Sequence, residues 1–119
     1  MSHGALLRQH SDDADLASHV MHDYRTTDLD PQTRSMLDFT AKLTRDPSSM
    51  QEADVKGLRG LGLGDEQVLS VVLITCVFNF MTRLADGLGV ELPFAAHESI
   101  ERWLTGPARS QEWMMKSKG

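Results

Sequence analysis

Few residues in this sequence have side chains able to do chemistry, and they are scattered. There is one cysteine, Cys76, and five histidines, among them His3, His19, His22 and His97. A thiolate is a strong nucleophile near neutral pH, which makes Cys76 the first candidate for covalent or redox chemistry. Its neighbours are Val72, Leu73, Ile74, Val77 and Phe80. That setting predicts a buried thiol packing as a small apolar group. His19 and His22 stand three apart, with Asp15 and Asp23 near the same helix face. The spacing suits one edge of a metal site. A closed site needs further ligands, and the next histidine, His97, is distant, so no metal is expected. No cofactor is expected either.

Thr75, Asn79, Arg83 and Asp86 recur at helical spacing through an otherwise apolar segment. Buried polar groups need partners. One reading makes this stripe a hydrogen-bonded strut, with Arg83 paired to Asp86 or Asn79. The other turns it toward a pocket or a subunit interface. The pattern alone supports both.

The elements that must position these residues all repeat at helical period, and no strand-like alternation stands out. A short helical stretch covers about Gly4 to His10. Ser11 reads as the cap of a second helix, with Asp12 and Asp13 in its first turn and Leu16, Val20 and Tyr24 on one face. After "TTDLDP", Asp30 and Pro31 open a helix whose buried side is Met36, Leu37, Phe39, Ala41 and Leu43. "RDPSS" ends it. Ser49 and Glu52 form a capping-box pattern for the next helix, which Gly62 and Gly64 close. From Val68 to Leu84 the chain is apolar on most of its circumference, the pattern of a central, buried helix. A last helix runs from about Ala95 to Leu104. The tail holds Trp113, Met114 and Met115, as a docking segment would. The fold class is all-α, with about five helices in a single domain over residues 1–119.

The 119 residues suffice for one core, and the formal net charge is −5. That charge disfavours nucleic acid and anionic membrane surfaces as partners. The helix opened at Ser49 and the long apolar helix after it could pass for a helix-turn-helix by spacing, but Val68 to Met81 has no Lys or Arg to offer base edges or phosphates. The same stretch, broken by Ser70, Thr75 and Asn79, falls short of the ~20 apolar residues a membrane span needs. No basic start followed by an apolar core and cleavage site is present. A lone cysteine fits a cytoplasmic protein. A nearly all-round apolar helix must be covered by something, and a homo-oligomer is expected to do so.

The stretch from "YRTTDLDP" through "DFTAKLTRDP", "DVKGLRGLGLGDEQ" and "FNFMTRLADGLGVELP" closely resembles the peroxidase-related branch of the alkylhydroperoxidase D and carboxymuconolactone decarboxylase family. With "SHGALLR" the likeness extends over roughly Ser2 to Pro93. It implies the helical fold of that family and thiol-dependent peroxide reduction. In that chemistry a thiolate attacks the peroxide, becomes a sulfenic acid and condenses with a second thiol. The family carries Cys-x-x-Cys-x-x-x-His, and the resemblance puts His3 on the motif histidine, a proton relay. The nearer cysteine would then fall just before Met1, so the chain reads as entering the motif helix after its thiols. Cys76 matches neither motif cysteine. Two functional expectations follow. One is a peroxidase-type oxidoreductase whose thiols come from a longer product or a separate front-half polypeptide. The other is a non-enzymatic helical oligomer built on the same fold.

Overall fold

Four α-helices follow one another among the described residues of the computed structural model, which are 7, 10–13 and 15–90, and no strand occurs among them. They are α1 (Leu16–Asp23), α2 (Pro31–Arg45), α3 (Glu52–Gly60) and α4 (Asp65–Gly87). The all-α expectation holds. The chain divides into two compact units, Met1–Asp28 with Gly89–Gly119, and Leu29–Leu88. The expected helix over Ala95 to Leu104 and the Trp113–Met115 tail lie outside the described residues. So does the Gly4 to His10 stretch, apart from Leu7 and His10, which are helical.

In the first unit, α1 starts later than its caps suggest. The Ser11 hydroxyl accepts from the Asp13 amide at 3.2 Å, and the Asp13 carboxylate accepts from the Asp15 amide at 2.9 Å. These side chains hold consecutive turns instead of a helix, as Ser and Asp do when they compete with the backbone ladder. Leu16 is therefore the first helical residue. At the other end, Asp23 binds the Arg25 guanidinium at 2.8 and 3.0 Å and caps a single 3-10 turn, Tyr24–Thr26.

The second unit contains α2, α3 and α4. Asp30 accepts from the Thr33 amide at 2.9 Å and Pro31 occupies the first helical position, as read from sequence. Asp46 ends α2, and Pro47–Ser49 form a 3-10 turn. The next cap differs from expectation. Ser49 donates to the Asp46 carbonyl at 2.8 Å, and the reach-back bond at α3 runs from the Gln51 amide to Asp54 at 2.7 Å. The 3-10 turn consumes Ser49, so the helix start moves two residues on.

Gly62, with φ +95°, closes α3. Its amide bonds the Arg59 carbonyl at 2.9 Å, and the Leu63 amide bonds the Leu58 carbonyl at 3.3 Å. These two bonds are a Schellman motif, and its accompanying apolar contact pairs Leu58 with Leu63. Both join Phe39 and Val68 in the core, flanked by Met36, Leu43, Met50, Val55, Val71 and Val72. Two ties fasten α2 to α3, one at each end of that helix. Gln32 donates to the Leu61 carbonyl at 3.0 Å, and Lys42 reaches both Asp54 oxygens at 2.8 Å.

The long helix departs most from expectation. Only Val68 and Thr75 of α4 are buried. Its 23 residues also make it long and apolar enough to cross a membrane by length and composition, contrary to the sequence estimate. The sequence estimate rests on Val68 to Met81 alone, and the helix extends beyond that stretch at both ends.

Candidate functional site

Leu29–Leu88 contains a groove of about 380 Å³ between α2 and α4. Met36, Leu37, Thr40 and Thr44 line it from α2; Val71, Ile74, Thr75 and Phe78 line it from α4. Residues 36, 37, 40 and 44 share one face of α2 because a helix advances 100° per residue. The same rule groups 71, 74, 75 and 78 on α4.

Thr75 anchors the contact and is 5% exposed. Its hydroxyl donates back to the Val71 carbonyl at 2.7 Å. A hydroxyl has one proton, so in the 3.2 Å contact between Thr75 and Thr40 it is Thr40 that donates. One turn on, Asn79 Nδ2 donates to the Thr44 hydroxyl at 3.0 Å. Another turn on, Arg83 donates to the Asn79 carbonyl at 3.3 Å and, more weakly, to the Thr44 carbonyl at 3.5 Å. Thr75, Asn79 and Arg83 thus form a ladder to α2, and Thr75 also lines the groove. Arg83 reaches the Asn79 backbone, and Asp86 is exposed beyond it.

Cys76 is exposed, against the expectation of a buried thiol. The reason is angular. With Thr75 turned toward α2, the next residue lies 100° round the helix and faces outward. Its apolar neighbours Leu73, Ile74, Val77 and Phe80 are exposed as well. His3 and His97 lie outside the described residues. Among the described residues no three metal-ligating side chains come together, and His19 and His22 join no such group.

No titratable side chain lines the groove. The carboxyls with clearly displaced pKa values lie elsewhere. The Arg25 guanidinium holds Asp23 below the usual value, the Thr33 hydroxyl and amide do so for Asp30, and the Lys42 ammonium for Asp54. The groove therefore offers almost entirely hydrocarbon, since its threonine hydroxyls are bonded between the helices; such a wall suits an apolar molecule and supplies no proton-transfer group. Sequence reasoning passed over Thr40 and Thr44. The signal was a second pair of hydroxyls at i, i+4, on a helix due to pack against Thr75 and Asn79.

No protein-family model and no curated protein matches the chain. Solved structures do. An uncharacterized peroxidase-related protein from Silicibacter sp. TM1040 is 39% identical, with a TM-score of 0.68, over 71% of this chain and 44% of that one. A second, described as an alkylhydroperoxidase AhpD core and an uncharacterized peroxidase-related protein, comes from Ralstonia eutropha JMP134. It is 34% identical, with a TM-score of 0.66, over 71% of this chain and 45% of that one. The chain thus spans less than half the length of either structure.

Proposed function

Because the chain belongs to the peroxidase-related, alkylhydroperoxidase D-like family, we propose that it is the binding part of a cytoplasmic thiol peroxidase, an antioxidant oxidoreductase. The observation that carries this reading is the 39% identity to a peroxidase-related protein over 71% of the chain. The groove supports it, since its almost wholly apolar wall suits the hydrocarbon part of an organic hydroperoxide. Reduction of ROOH to ROH and water consumes two thiols, which leave as a disulfide. The sequence holds one cysteine. This reading therefore requires a Cys-x-x-Cys pair from outside these 119 residues, in the same polypeptide or in a separate front-half partner. His3 is the proton relay in this scheme, and Cys76 takes no part.

The test is the intact mass of the native product together with dithiothreitol-dependent consumption of cumene hydroperoxide. The 119-residue chain alone is expected to be inactive, and the cysteine-bearing assembly active. An assembly that holds both cysteines and still consumes no hydroperoxide would sink the reading. A second reading is a non-enzymatic helical homo-oligomer. It is favoured by the row of large apolar side chains that α4 leaves exposed.

A further inference from the structure

We draw no further inference here: the strongest candidate, the exposed apolar face that α4 presents along Leu69, Leu73, Val77, Phe80, Leu84 and Leu88, carries nothing, because the chain spans less than half the length of either related structure and nothing in the structure shows what covers that face.

Discussion

The two halves of α4 are held to the rest of Leu29–Leu88 in different ways. Near its start, Val68 enters a hydrocarbon core with Phe39, Leu58 and Leu63. From Thr75 onward its inner side is a ladder of hydroxyl, amide and guanidinium bonds to α2. The first half is stabilised by area removed from water, a term insensitive to small shifts. The second depends on directional bonds whose net worth is small, because water offers the same partners in the unfolded chain. The contrast explains how so apolar a helix can leave its best hydrocarbon outside: the inner positions were taken by polar groups.

The contrast breaks most decisively at Leu58, which is 1% exposed at the centre of the core. Leu58→Ala is expected to cost about 2–5 kcal/mol, read from urea unfolding, since the truncated site leaves a cavity. Loss of under about 1 kcal/mol would mean the core does not carry this unit. The polar half is tested by the cycle Thr40→Val, Thr75→Val and the double variant. Each single change should cost about 0.5–1.5 kcal/mol, and the double less than the sum, because no hydroxyl is then left facing an absent partner. Strict additivity would show that the 3.2 Å contact contributes nothing.

The smallest effect is expected where α2 meets α3. Asp54 is held low by the Lys42 ammonium and the Gln51 amide. A carboxyl depressed on folding stabilises the native state above its unfolded pKa, near 3.8. That contribution fades as pH falls through the lower folded value. Acid titration should therefore show stability declining below about pH 4. In Asp54→Asn the part of the decline due to this residue should disappear, while wild-type and variant curves converge at the acid end. An unchanged acid limb in the variant would assign the decline to other carboxyls.

Much of the fold could be read from the sequence. Asp30-Pro31 and the Gly62 stop are local signals whose geometry depends on neighbours within a few residues. The Ser49–Glu52 and Ser11 caps misled for the same reason, because two plausible caps stood close together and turns took one of them. The face of α4 was harder. Periodicity shows that Thr75, Asn79 and Arg83 share a side, but not whether the apolar or the polar side meets α2. Thr40 and Thr44, thirty-five residues upstream of their partners, decide it, and hydropathy does not register them. Cys76 followed the same error, being judged buried by neighbours that are themselves exposed.

The tight corner between α3 and α4 also bears on how quickly the native state is reached. Leu58, Gly62 and Leu63 close on one another across only a few residues, so little loop entropy stands in the way of their meeting. The bonds between Thr40 and Thr75 or Thr44 and Asn79 must draw together segments far apart in sequence. By that difference in contact order, the corner is expected to form in the folding nucleus and the polar ladder after the barrier. In stopped-flow chevron analysis, Leu58→Ala should then mainly slow folding and Thr75→Val mainly speed unfolding.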